Sequence, residues 1–223
     1  MFAPNLRILP EPQKQLWLEL IDTPKSFVLY GGTALALRLG HRQSEDFDFF
    51  SNQAFRPTAL RERIPYLKHA EMTQFQDNTL TAIVDRNGPV KLSFFGSLGI
   101  KRAQDPDVVE ENGVQIASLL DLLASKLKTV QLRAQAKDYR DILGTLDAGL
   151  SLAVGLSAAR AIYGKEFNGA LTLKALTFFE DGDLPSIAPE TRKRLLEAAT
   201  SVNLKELPFV AARLGLSPHE EES

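Results

Sequence analysis

FVLYGGTALALRLGHRQSEDFDFF, residues 27–50, ends an apolar run on two adjacent glycines and then sets Asp46 and Asp48 among phenylalanines. Side chains alternate faces along a strand, so residues two apart point the same way. Read as a strand over Glu45–Phe50, the stretch buries Phe47 and Phe49 and places Asp46 and Asp48 together on the other face. Two bare carboxylates that close repel. A divalent cation removes the repulsion, and Mg²⁺ takes hard oxygen ligands at roughly 2.0–2.1 Å while keeping positions for water and substrate phosphates. For an isolated D-x-D pair, simple exposure to water is the plainer account, and two glycines alone make a tight turn. Here they occur together. Gly31-Gly32 stands where a strand hands over to a helix, so bare backbone can approach a phosphate and the helix start offers unpaired N–H groups to an anion. A phosphate cradle followed by a metal pair points to nucleotide chemistry.

Working outward, residues 11–22 read as a short helix with Pro12 in its first turn, closed by Thr23-Pro24. Residues 26–30 form a brief strand, TALALRL has helical character, and Pro57 opens a helix to about His69. LTAIVD, RNG and PVKLSFFG then describe a hairpin, with Asn87-Gly88 suited to the positive φ of a tight turn. The second half changes character: Ser118 and Asp121 resemble a capping box before LLDLLASKLKTV, and helical segments follow at 138–147, 151–163, 170–180 and 189–200. These shifts predict an α+β chain with a nucleotide-binding core over residues 1–115 and a helical domain over 116–223. The last residues are expected to fray.

Composition narrows the function classes. With 223 residues, 44% hydrophobic and 24% charged content, the chain has the make-up of an ordinary globular protein. No apolar run approaches a bilayer span, and the N-terminus lacks a charged-then-apolar signal, so no membrane partner is expected. The absence of cysteine excludes disulfides and thiolate metal sites and makes the cytoplasm the expected location. Three histidines, His41, His69 and His219, lack zinc-ligand spacing. A formal charge of −2 supplies no global pull on nucleic acid, so polyanion binding needs a local patch. Arg38, His41 and Arg42 form one candidate cluster; Lys126, Lys128, Arg133, Lys137 and Arg140 form another.

The quoted stretch resembles the signature of the nucleotidyltransferase AbiEii/AbiGii toxin family, in which a glycine turn leads to R-x-S-x-D-x-D and aromatics. Gly31, Gly32, Thr33, Arg42, Ser44, Asp46, Asp48 and Phe49 match residue by residue. A second match lies in SLLDLLASKLKTVQLRAQAKDYRDI, where Lys126, Lys137, Asp138 and Asp141 take the places of an essential lysine and a basic-D-x-x-D motif. The resemblance covers roughly residues 25–150. It implies a polymerase-β-like nucleotidyltransferase core of mixed sheet and flanking helices, with a helical C-terminal part that completes the active site. It also implies transfer of a nucleoside monophosphate from an NTP to an RNA, tRNA included, or to a protein, within a toxin–antitoxin or phage-defence system with an antitoxin partner.

On that reading Asp46 and Asp48 hold Mg²⁺ or Mn²⁺ and act in catalysis with Lys126 and Asp138. Gly31, Gly32, Thr33, Arg42, Ser44 and Lys126 bind nucleotide phosphates, although Arg42 has Glu45 as an alternative partner. Geometry adds a condition. On one straight helix Lys126 and Asp138 would be about 18 Å apart and out of phase, so the chain must bend between them, over Arg133–Ala136. Asp141 reads as surface charge paired with Lys137 or Arg140. One departure stands out: Ser93 occupies the outward position of the return strand where a third carboxylate is expected, with Asp85 or Asp138 as substitutes. A serine is a poor magnesium ligand and no general base at neutral pH. Two alternatives follow, a catalytically impaired relative that binds a nucleotide or a partner, and a nucleotidyltransferase acting on an antibiotic-type small molecule.

Overall fold

The computed structural model describes residues 2–218, so His219 and the tail beyond it lie outside the described residues. The chain divides into two compact units. One comprises Met1–Ile100, Asp105–Ser118 and Leu214–Ser223; the other comprises Lys101–Gln104 and Leu119–Arg213.

The first unit is built on a seven-stranded mixed sheet. Its strands are β1 (Val28–Tyr30), β2 (Phe47–Phe50), β3 (Glu71–Gln76), β4 (Thr79–Asp85), β5 (Pro89–Phe95), β6 (Asp107–Val108) and β7 (Gln115–Ile116), in the order β3-β4-β5-β2-β1-β7-β6. β1 is buried along its whole length, as a strand flanked on both sides must be. It runs antiparallel to β2, which in turn runs parallel to β5. Three helices, α1 (Glu11–Trp17), α2 (Gly31–Leu39) and α3 (Pro57–Arg63), belong to this unit. Phe47, Phe49 and Phe94 are fully buried, each contributing about 2–3 kcal/mol by leaving water. Trp17 closes the core beside Phe47, with ring centroids 6.3 Å apart, and its indole N–H donates to Glu111 at 3.0 Å.

Arg38 leaves the expected basic cluster. Its guanidinium donates to the carbonyls of Ala117 and Ile116 and pairs with Asp107 at 2.7 Å, so it serves as a strut for β6 and β7.

The second unit is helical: α4 (Leu119–Thr129), α5 (Ala136–Asp147), α6 (Leu152–Tyr163), α7 (Gly169–Leu176) and α8 (Pro189–Thr200). Ser151 and Asn168 cap α6 and α7 by accepting from the N–H groups of Val154 and Leu171. The Asp121 carboxylate accepts from the N–H groups of Ala103 and Gln104, which ties that short segment to α4. No single helix among the described residues is long and apolar enough to cross a membrane.

Several expected elements shift. The helix from Pro57 stops at Arg63 because Ile64, ahead of Pro65, is driven to extended backbone; a 3-10 turn, Pro65–Leu67, follows. The strand expected from Glu45 begins at Phe47, which leaves Asp46 just ahead of it. The first helix passes into a 3-10 segment, Leu18–Asp22. β3, β6 and β7 have no counterpart in the sequence reading.

Candidate active site

Within the first unit β2 places Asp48 between Tyr30 of β1 and Ser93 of β5. Phe47 and Phe49 fill the opposite face, where Phe49 stacks on Phe94 at 5.2 Å. Asp46 is exposed, and its Oδ2 lies 3.7 Å from Nζ of Lys91. Lys91 and Ser93 are two residues apart on β5, so the neighbours of Asp46 and Asp48 share one side of the sheet.

The glycine pair has two different reasons for lacking side chains. Gly31 has φ +74°, and a Cβ on it would sit 2.7 Å from Oδ2 of Asp48. The Asp48 carboxylate therefore leans on bare backbone where α2 begins. Gly31→Ala should cost about 1–3 kcal/mol of stability through backbone strain and turn Asp48 out of place, read as a lowered unfolding midpoint together with lost activity. Gly32 is different, because a Cβ there would strike the guanidinium of Arg42 and lie 3.4 Å from Oγ of Ser44. Arg42 thus lies across the start of α2 and donates to the carbonyl of Gln43 at 2.9 Å. Thr33 is buried, and its hydroxyl sits between Ser44 Oγ, at 2.8 Å, and the carbonyl of Asp46. That contact fastens the acid-bearing loop to the helix.

The donor set suits a hard cation. Magnesium and manganese need only one or two carboxylates when substrate phosphates supply the remaining oxygens, and the exposed Asp46 and half-buried Asp48 are two such groups. Among the described residues no group of three or more His, Cys, Asp or Glu gathers to hold a metal by itself.

Ser93 is buried and in register with Asp48 and with Thr81 of β4. Its Oγ lies 3.5 Å from the hydroxyl of Thr81, which donates to Gln74 at 2.9 Å. Asp85 is no substitute for the third acid. It lies four residues along β4 from Thr81, about 13 Å away, and its carboxylate accepts from Gly88 in the hairpin turn. Sequence reasoning missed the aromatics beside the acids. Phe50 is in phase with Asp48, stacks on Tyr30 at 5.0 Å and meets Phe95 edge-on at 5.6 Å. The alternation that paired the aspartates would also have placed Phe50 there.

In the second unit the chain bends as the spacing requires: α4 ends at Thr129 and α5 starts at Ala136. The bend brings Lys126 Nζ to 2.7 Å from both Asp138 Oδ1 and Asp141 Oδ2. Arg133 closes on Asp138 with two N–H groups, at 2.8 and 3.1 Å. Asp141 is therefore not surface charge. It is fully buried and paired with Lys126 from the other helix, while Lys137 and Arg140 face solvent. Lys126, Asp138 and Asp141 are buried, while Arg133 reaches Asp138 from the solvent side.

Burial alone would raise the Asp138 carboxyl, but Arg133 and Lys126 outweigh it and hold it below the usual carboxylate range. A lowered folded value means that the stabilisation is complete above about pH 4 and fades as pH falls through the folded value. Acid unfolding followed downward from about pH 6 should show this loss in the wild type and a shallower slope in Asp138→Asn.

A family model described as nucleotidyl transferase AbiEii toxin, type IV toxin–antitoxin system, matches residues 18–208. An uncharacterised protein of Aquifex aeolicus (strain VF5) is 28% identical over 158 residues, which span 70% of this chain and 74% of that protein. The solved structure of MenT4, a nucleotidyltransferase toxin of Mycobacterium tuberculosis, superposes with a TM-score of 0.58 at 14% identity, covering 87% of this chain and 83% of that one. An antigenic nucleotidyltransferase-like protein from Paracoccidioides brasiliensis gives a TM-score of 0.48 at 15% identity, covering 89% and 98%. The mixed α+β sheet is that of nucleotidyltransferases. Since the family match takes in most of the chain, the protein belongs to the nucleotidyltransferase AbiEii toxin family and is a transferase of that class.

Proposed function

We propose that this transferase moves a nucleoside monophosphate from an NTP to an RNA acceptor, tRNA included, in a reaction dependent on Mg²⁺ or Mn²⁺. On the same reading it is the toxin half of a two-gene system, acts in the cytoplasm and is restrained by a cognate antitoxin protein. The observation that carries the chemistry is the Asp48 carboxylate set against the Cβ-free backbone of Gly31, with Asp46 two residues before it at the head of β2.

An acceptor oxygen attacks the α-phosphorus, the bond to the β-phosphate bridging oxygen breaks, pyrophosphate leaves with the electron pair, and the acceptor proton passes to solvent. Asp46 and Asp48 would hold the cation, which would supply positive charge against the triphosphate. Gly31 and Gly32 supply close backbone approach, and Arg42, lying over Gly32, offers a planar fork to phosphate. Thr33 and Ser44 hold the Asp46 loop in place. Phe50 and Phe95 give the nucleotide an apolar wall on the acid face. Asp138 and Asp141 engage two of the three ammonium hydrogens of Lys126 and hold it in place. Asp138 orients that ammonium.

Incubation with labelled NTPs, Mg²⁺ or Mn²⁺ and total RNA should transfer label, and chelation with EDTA should stop it until metal is restored. Undiminished transfer after chelation would remove the metal from the mechanism. Buried Ser93 beside Asp48 favours a second reading, in which nucleotide binds but turns over slowly for want of a third carboxylate. Calorimetric NTP binding with no label transfer to RNA would select it.

A further inference from the structure

A cavity of about 300 Å³ opens in the first unit at the other end of β2 from the acid pair. Ser51, the residue after β2, lines it, three residues and about 10 Å along the chain from Asp48. Phe27 lines it as well and packs edge-on against Phe94, on the apolar face of the sheet. The cavity and the aspartates thus differ in both face and strand end, so one nucleotide cannot occupy both.

Its chemistry is specific. Arg56, the residue that precedes α3, and Ala59, Leu60 and Arg63 within it are spaced by three, four and seven, and all four line the cavity. The two arginines therefore flank the cavity from backbone positions about 10 Å apart, with Phe27 and Phe55 also lining it. Phe55 meets Phe27 edge-on at 5.6 Å and remains half-buried, with ring surface left over. None of the lining residues is acidic, and neither arginine has a carboxylate partner among the described residues. In a chain of net charge −2 this concentration of uncompensated positive charge is local.

The walls are also prebuilt. The loop between β2 and α3 is fixed where Phe55 N–H donates to Asn78 Oδ1 at 2.8 Å and Asn78 N–H donates to the Phe55 carbonyl at 3.0 Å. Asn52 adds two bonds to Ile100, at 2.6 and 3.2 Å.

We propose that this cavity is a second ligand site, separate from the acid pair, that takes one phosphate-bearing nucleotide. Arginine forks recognise phosphate oxygens two at a time, an aromatic face accepts any base, and the volume lies at the single-small-ligand end of the range for binding pockets. The nucleotide is either free or one residue of an RNA strand, since both present the same phosphate and base. The proposal does not depend on the transfer reaction.

The test is calorimetry on the Asp46→Asn/Asp48→Asn variant, which removes the acid-pair route. Its ligands are the four nucleoside 5′-monophosphates, a short single-stranded oligoribonucleotide and inorganic phosphate. A mononucleotide or the oligonucleotide should bind, and adding Arg56→Gln or Arg63→Gln should weaken binding by about tenfold each. Both arginines are solvent-exposed, so their unfolding midpoints should stay at the parent value and show that the loss is not unfolding. Binding of mononucleotides assigns the site to free nucleotide; binding of the oligonucleotide alone assigns it to a strand. Absence of binding, or binding indifferent to both arginines, overturns the proposal. Inorganic phosphate binding as tightly as any nucleotide also overturns it, because Phe27 and Phe55 would then contribute nothing.

Discussion

Asp48→Asn should lower nucleotidyl transfer by roughly a thousandfold or more while leaving the protein folded, an effect on the order of 4 kcal/mol in the barrier. Asparagine keeps the shape of the side chain between Tyr30 and Ser93, and the buried phenylalanines that hold β2 are untouched. What disappears is the negative charge, one of the two that the proposed function assigns to a divalent ion. Asp46→Asn should act in the same direction, and it also releases Lys91 from its 3.7 Å pairing. Label transfer to RNA and the unfolding midpoint, measured side by side, check both claims. Wild-type transfer by Asp48→Asn would falsify the assignment of the acid pair.

The second large effect concerns stability. Lys126→Met takes from the fully buried Asp138 and Asp141 the ammonium that both share, and breaking a buried pair in this way costs about 3–5 kcal/mol. For a chain of this size that corresponds to roughly 10 °C in the unfolding midpoint. Adding Asp141→Asn should recover part of the loss, since one of the two buried carboxylates that Lys126 served is then uncharged. A double variant no more stable than Lys126→Met alone would show that charge balance is not what holds these helices. The comparison also separates structure from chemistry: a double variant that is stable yet inactive assigns Lys126 to the reaction.

Legibility in the sequence followed the reach of each signal. Alternation along residues 47–50 was enough to set Asp48 opposite the buried Phe47 and Phe49, whereas Asp46 falls just ahead of the strand. The hairpin was readable from Asn87-Gly88, and Asn87 does take φ 57°. β3 was not readable. As an edge strand it is exposed or half-buried at every residue, so polar and apolar positions need not alternate. β6 and β7 are two residues each, too short to carry a pattern. Asp141 was misread because spacing along a helix reveals neighbours three and four away, whereas its partner comes from a different helix across the bend. Distance arithmetic did recover the bend itself, since a straight helix could not have joined Lys126 to Asp138.

The Thr33 contact with the Asp46 carbonyl has a kinetic and entropic consequence. The loop that carries Asp46 is clamped to the start of α2 before any ligand arrives, so the capture of a cation and triphosphate proposed above would have little conformational freedom left to remove. Association should therefore proceed as a single encounter step without a slow ordering phase, and loosening that clamp with Thr33→Val should introduce one.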